Sequence, residues 1–105
     1  MKYKVVRTET ADAQIRKIIL YVAENFGKEI ALEKLEELEQ NLLDLDLYPQ
    51  KGVAPRYLVL KRQGYKVLIL KKNLVFYKIN EEKKEVTVYA VVDQRQDYLN
   101  IIRGL

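Results

Sequence analysis

A chain of 105 residues with 49% hydrophobic side chains is long enough for one domain around one core, and too apolar for wholesale disorder. It contains no histidine and no cysteine, which removes disulfides, thiolate chemistry, and the commonest metal ligand and general base at neutral pH. The net charge of +4 hides a division: residues 8–48 carry ten acids against four bases, and residues 49–105 carry twelve bases against five acids.

That asymmetry points the basic half at a polyanion or an acidic partner, with a lysine-rich solubilising surface as the plain alternative. No clustered acid motif suggests a metal site, and no cofactor is implied. The N-terminus MKYKVV lacks a signal-peptide run, and no stretch approaches the roughly 18 apolar residues that span a bilayer. The expectation is a cytoplasmic protein with no membrane contact.

Taken in chain order, Lys2–Arg7 reads as a first strand. Thr8 or Thr10 is placed to cap a helix whose first turn holds Asp12. Ala11, Ile15, Ile18, Ile19, Val22 and Phe26 recur at helical steps and form one apolar face, and Gly27 supplies a left-handed stop. A second helix is expected from Lys28 to Leu47, with a seam of Ala31, Leu35, Leu38, Leu42 and Leu45. Glu33, Glu36, Glu37 and Glu39 line its other side and read as a solvated face. One short turn joins the two helices, so they form a hairpin.

Residues 49–64, with both prolines, read as the longest irregular stretch. Three strand-like runs follow, Tyr65–Leu70, Leu74–Ile79 and Glu85–Val92, joined by short polar turns as an antiparallel meander. Arg95–Arg103 suits a short terminal helix carrying Tyr98, Leu99 and Ile102. The expected fold is α+β, in the order β-α-α-β-β-β: one domain over residues 1–105, an antiparallel sheet with a helix hairpin on one face and a short C-terminal helix.

A helix hairpin covers one face of a sheet, yet both faces of these strands are apolar. Val86, Val88, Ala90 and Val92 alternate with Thr87, Tyr89 and Val91. Val75, Tyr77 and Ile79 alternate with Leu74, Phe76 and Lys78. The second face is therefore covered either by residues 49–64 and the tail or by another chain, a hint of a partner.

Three features carry a family resemblance: the element order, the helix pattern around Ile15, Ile18, Tyr21 and Val22, and two local stretches. GYKVLILKKNLVFYKINEEKKEVTVYAVV, Gly64 to Val92, resembles the strand trio of RelE/ParE toxins. QRQDYL, Gln94 to Leu99, is similar to the arginine-bearing box after their last strand. The resemblance implies the toxin of a type II toxin–antitoxin system, wrapped by a cognate antitoxin. RelE-like members cut messenger RNA on the ribosome and ParE-like members inhibit DNA gyrase, and the shared fold does not choose between them.

Messenger RNA cleavage is the leading expectation from the sequence. A gyrase inhibitor without chemistry, and a degenerate member that only binds its antitoxin, are the alternatives. For cleavage the resemblance implies Arg95 as the stabiliser of phosphorane charge, Lys66 as a base, and Tyr98 as a base-stacking ring. Lys61, Arg62, Lys71 and Lys72 are expected to form a phosphate-binding rim if a nucleic acid binds, with edge-strand lysines that prevent aggregation as the plain alternative. Three positions depart from the RelE-like set: Asn73-Leu74 stands where an arginine is usual, Gln94 where several relatives have histidine, and Leu68 where a second lysine is expected.

Overall fold

Thr8 decides where the first helix starts. In the computed structural model, which describes residues 2–95 and Ile102, its extended backbone closes a four-residue strand, β1 (Lys4–Arg7), and its side chain opens α1 (Glu9–Phe26). The Thr8 hydroxyl accepts the Ala11 N–H at 3.1 Å, satisfying one of the orphan donors of the first turn. Gly27 stops α1 at φ +95°, a region that suits glycine, but with ψ 164° it is extended and not the left-handed helical cap expected. α2 follows at once over Lys28–Leu43, shorter than the expected end at Leu47, because the chain tightens into a 3₁₀ turn at Asp44–Asp46.

The remaining elements are α3 (Leu58–Arg62), β2 (Lys66–Ile69), β3 (Asn73–Asn80) and β4 (Glu85–Asp93). The strand order is β1-β4-β3-β2. β2, β3 and β4 form the expected antiparallel meander. β1 joins the far side of β4 in parallel, from Lys4 opposite Glu85 to Arg7 opposite Val88, so the sheet is mixed. A parallel neighbour needs a long connection, and the hairpin and everything after it lie between β1 and β4.

The expected helical seam is observed. Ala11 and Ile15 of α1, Leu38 and Leu42 of α2, and Leu45 pack on Leu68, Val75, Tyr77, Val86, Val88 and Val91 of the sheet. Each fully buried large aliphatic contributes about 1.5–3 kcal/mol. Phe26, expected on the same face, is 63% exposed at the hairpin tip.

Strict alternation fails in β4. Tyr77 pairs with Val88 but Phe76 pairs with Ala90, so Tyr89 is the extra residue of a β-bulge. Val86 and Val88 therefore face the helices while Ala90 and Val92 face the other way, and Val91 returns to the helix side. The single face predicted for Val86, Val88, Ala90 and Val92 is split by this one inserted residue.

The second face is closed by the chain itself. Leu60 of α3 and Ile102 of the tail lie fully buried with Tyr65, Val67, Phe76, Ala90 and Val92, and Tyr57, Leu74 and Tyr89 pack around them. The apolar second face is thus no sign of a partner. α3 was hidden inside the stretch read as irregular. The terminal helix expected over 95–103 falls outside the described residues except at Ile102, which is helical.

Three devices finish the sheet. Residues 49–53 are tied to it by Tyr77, whose hydroxyl donates to Pro49 O at 2.7 Å and accepts Gly52 N–H at 2.9 Å. A methyl group at Gly52 would sit 2.5 Å from Tyr77 Oη and 2.8 Å from Val67 O, so this position needs glycine for close approach. Val53 then pairs with Val67 through two 2.9 Å backbone bonds and covers part of the β2 edge. On the other side, where β1 has ended, α1 covers the last part of β4: Thr8 Oγ1 donates to Tyr89 O at 3.2 Å, and Val91 N–H donates to Gln14 Oε1 at 2.7 Å.

Candidate functional site

The cations singled out from the sequence separate into two groups. β4 ends at Asp93, and Arg95 folds back on it. The Arg95 amide donates to Asp93 Oδ1 at 2.8 Å, Nε to Oδ1 at 3.1 Å and Nη2 to Oδ2 at 3.3 Å. The Arg95 side chain is 90% exposed, so the pair contributes little to stability. Its chemistry is clearer: the hydrogen bonds from the Arg95 side chain and amide hold the Asp93 carboxyl below the usual carboxylate range, with Lys72 adding to the effect. The carboxylate takes the Nε–Nη2 side of the guanidinium.

The turn between β2 and β3 lies at the same end. Gln94 N–H donates to Lys72 O at 3.1 Å, and Gln94 Nε2 donates to Leu70 O and Lys71 O. Lys71, Lys72 and Arg95 are all exposed there. The phenol of Tyr21, an exposed residue of α1, is the next electrostatic neighbour of Arg95. Sequence reasoning saw Tyr21 only as part of a helical pattern; its polar ring within an apolar stripe was the available signal.

Lys66 lies elsewhere. It opens β2, half-buried, opposite Tyr77, which in turn pairs with Val88. From Val88 to Asp93 is roughly 15 Å of strand, and from β2 to β4 roughly another 10 Å across. Strand alternation also puts Lys66 on the side of Leu68, which is buried against the helices. Leu68, the position of the expected second lysine, is therefore core. Lys61 and Arg62 end α3, just before the Gly64 turn (φ +89°) that leads into β2, far along the strand from Lys71 and Lys72. The four-cation rim is two patches at opposite ends of β2. Tyr98 lies outside the described residues.

Asn73, where an arginine is usual, is 3% exposed; its amide donates to Val92 O at 3.4 Å and its Oδ1 has no hydrogen-bond partner among the described residues. On the second face Lys78 Nζ stands 4.5 Å and 5.2 Å from the ring centres of Tyr65 and Tyr89. Burial, and then the neighbouring Tyr89, push the Tyr65 phenol up. Among the described residues no group of three or more histidine, cysteine, aspartate or glutamate side chains gathers to hold a metal, and no helix is long and apolar enough to cross a membrane.

A helix hairpin on a mixed four-stranded sheet, with the last strand running into an arginine beside a lysine turn, defines a small α+β protein of the RelE/ParE architecture. The model of the ParE toxin of the parDE type II toxin–antitoxin system matches residues 5–98, and the chain belongs to that family of toxins. Three solved structures share the fold. The chromosomal ParDE toxin–antitoxin system of P. aeruginosa superposes with a TM-score of 0.73 at 17% identity, over 88% of this chain and 96% of that one. The toxin–antitoxin complex RelBE2 from Mycobacterium tuberculosis gives 0.65 at 17% identity, over 91% and 95%. A mutant of E. coli toxin RelE in the free state gives 0.62 at 19% identity, over 100% of both chains. No curated protein matches this chain.

Proposed function

We propose that this toxin acts by binding its target and not by cutting RNA, that the target is DNA gyrase, and that a cognate antitoxin holds it inactive. The observation that carries this reading is the separation of Lys66 from Arg95 at opposite ends of the sheet, with Leu68 in the core. Cleavage of a phosphodiester needs a base at the 2′-hydroxyl and a cation at the phosphorus within one bond's reach. The order reverses the expectation drawn from the sequence, where RNA cleavage led. Membership of the ParE family supports the same side. The antitoxin is inferred from relatives described as a ParDE system and a RelBE2 complex.

The test is to induce the chain in cells without a partner and to assay the purified protein on gyrase. The expected result is an induced DNA-damage response, inhibited supercoiling in vitro, and intact transcripts by primer extension. Lys66→Ala is expected to leave toxicity unchanged. New 5′ ends phased to the ribosomal A site, lost in Arg95→Ala, refute the proposal and restore messenger RNA and the ribosome as the target.

A further inference from the structure

We propose that the surface over the second face of the sheet, built by Arg56, by Lys61 and Arg62 of α3 and by Lys78 of β3, binds the phosphate backbone of duplex DNA without reading its sequence. The cationic surface stands apart from the target proposed above; only the choice of DNA rests on that reading, because gyrase works on duplex DNA. Residues 47–80, which supply α3, β2 and β3, hold eight bases and no acid. Arg56, Lys61 and Arg62 are exposed and Lys78 is half-buried. Among the described residues the ion pairs take Lys2, Arg7, Lys51 and Arg95, so these four cations keep their full charge. The acids nearest in sequence are engaged elsewhere, Asp46 by Lys2 and Glu81 by the Tyr3 hydroxyl. Glu85, two residues along β4 from Thr87, the partner of Lys78, marks the border of the surface.

Aromatic rings fix two of these cations without neutralising them. Lys78 Nζ stands over both Tyr65 and Tyr89, and the Arg56 guanidinium carbon lies 5.4 Å from the centre of the Tyr57 ring. The rings are held in turn: Tyr65 and Tyr89 meet edge to face at 5.5 Å, and Tyr57 and Tyr89 pack on the buried cluster that contains Leu60 and Tyr65. Tyr65 N–H donates to Leu60 O at 3.2 Å and Gly64 N–H to Lys61 O at 3.0 Å, which sets the ring beneath Lys78 against the last turn of α3, where Lys61 and Arg62 stand. Cations placed in advance lose little freedom when phosphates arrive, and an arginine over a ring keeps N–H groups for phosphate. The same geometry disfavours a single strand. Unpaired bases bind by stacking on open ring faces, whereas Tyr65 is 6% exposed and each of the three rings has a cation over it. A duplex is positioned by phosphate contacts alone. Leu58 and Val59, exposed on α3, are what an acidic protein surface would use instead.

The experiment titrates a fluorescent mixed-sequence DNA duplex with the full chain and follows anisotropy at several salt concentrations. Four phosphate contacts give an expected slope of log K against log salt of about −3 to −4. Lys61→Glu/Arg62→Glu, at exposed positions, is expected to weaken binding at least about tenfold and to flatten the slope by about 2. Arg16→Glu/Lys17→Glu makes the same charge change at exposed positions of α1. It and Leu58→Ser/Val59→Ser are expected to keep binding within about twofold. No duplex binding at low salt, equal losses in the two charge variants, a loss in Leu58→Ser/Val59→Ser, or tighter binding of the single strand overturns the proposal. Supercoiling is scored separately. A chain that binds the duplex and leaves gyrase active refutes the gyrase reading alone, and one that inhibits gyrase without binding the duplex refutes this proposal alone.

Discussion

Replacing Tyr77 by phenylalanine isolates what fastens the 49–53 segment to the sheet. The ring is fully buried, and only its hydroxyl changes. Removing it leaves Pro49 O and Gly52 N–H without the partners they hold at 2.7 and 2.9 Å. A net hydrogen bond is worth about 1 kcal/mol, and a buried group left unsatisfied costs about 1–3 kcal/mol. Gly52 is half-buried, so water recovers part of the loss there. The expected total is about 2–3 kcal/mol, or a melting point lower by about 10–20 °C in a domain of this size. Urea unfolding at neutral pH measures it, with a lower midpoint and an unchanged slope. A loss under about 0.5 kcal/mol refutes the reasoning, since it means the hydroxyl exchanged equivalent bonds with water.

The same hydroxyl gives an alkaline signature. Burial pushes the Tyr77 phenol up, with the Gly52 N–H bond opposing in part. A raised phenol favours the neutral form in the folded state. Its stabilisation is present below the ordinary tyrosine value and is lost as pH rises through the raised one. Tyr77→Phe should therefore show less alkaline destabilisation than the parent, although Tyr65, also raised, keeps some of it.

Gly52→Ala is expected to cost about 1–3 kcal/mol by overpacking, and less in the Tyr77→Phe background, where the nearest clashing atom is gone; a thermal-melt double-mutant cycle with no coupling counts against the contact. Gln14→Leu strips the acceptor from Val91 N–H, with an expected loss of about 1–3 kcal/mol in denaturant unfolding. Lys84 holds φ +52°, so Lys84→Gly should gain about 0.5 kcal/mol after the loss of Lys84 stacking on Tyr3, read as a small rise in melting point. A carbon-detected NMR titration should find Asp93 protonating below the usual carboxylate range and moving part of the way back to it in Arg95→Ala, since the side-chain hydrogen bond from Arg95 is the largest cause while the residue-95 amide bond stays. The sign follows: the Asp93–Arg95 interaction is present above the ordinary aspartate value and is lost as pH falls through the lowered one.

Elements with a strong period were legible in the sequence. The Ala31, Leu35, Leu38, Leu42 and Leu45 seam and the Ile15 face were set by helical spacing alone, and burial follows that spacing, with Leu35 only partly buried. The β2–β3–β4 runs were set by β-branched and aromatic residues between polar turns. Features that depend on partners distant in sequence were not legible. Nothing in Leu58–Arg62 announces five helical residues; they are helical where Leu60 closes the second face under Ile102. The parallel placement of β1 is set by where the hairpin returns the chain. The Tyr89 bulge leaves no mark in a run that alternates on both sides.

The site turns on that same long-range geometry. Basic residues from 61 to 95 look like one cluster in a charge profile, because a profile has no directions. In the sheet β2 separates Lys61 and Arg62 from Lys71 and Lys72 along its length, and only the latter pair meets the end of β4 where Arg95 stands. One fragment of this was already in the sequence. Lys66 and Leu68 share a face because strand side chains alternate, and a core that needs Leu68 forces Lys66 to the helix side with it. A lysine committed to that side, and held in register with Tyr77 and Val88, is too far down the sheet to serve a phosphate bound at Arg95.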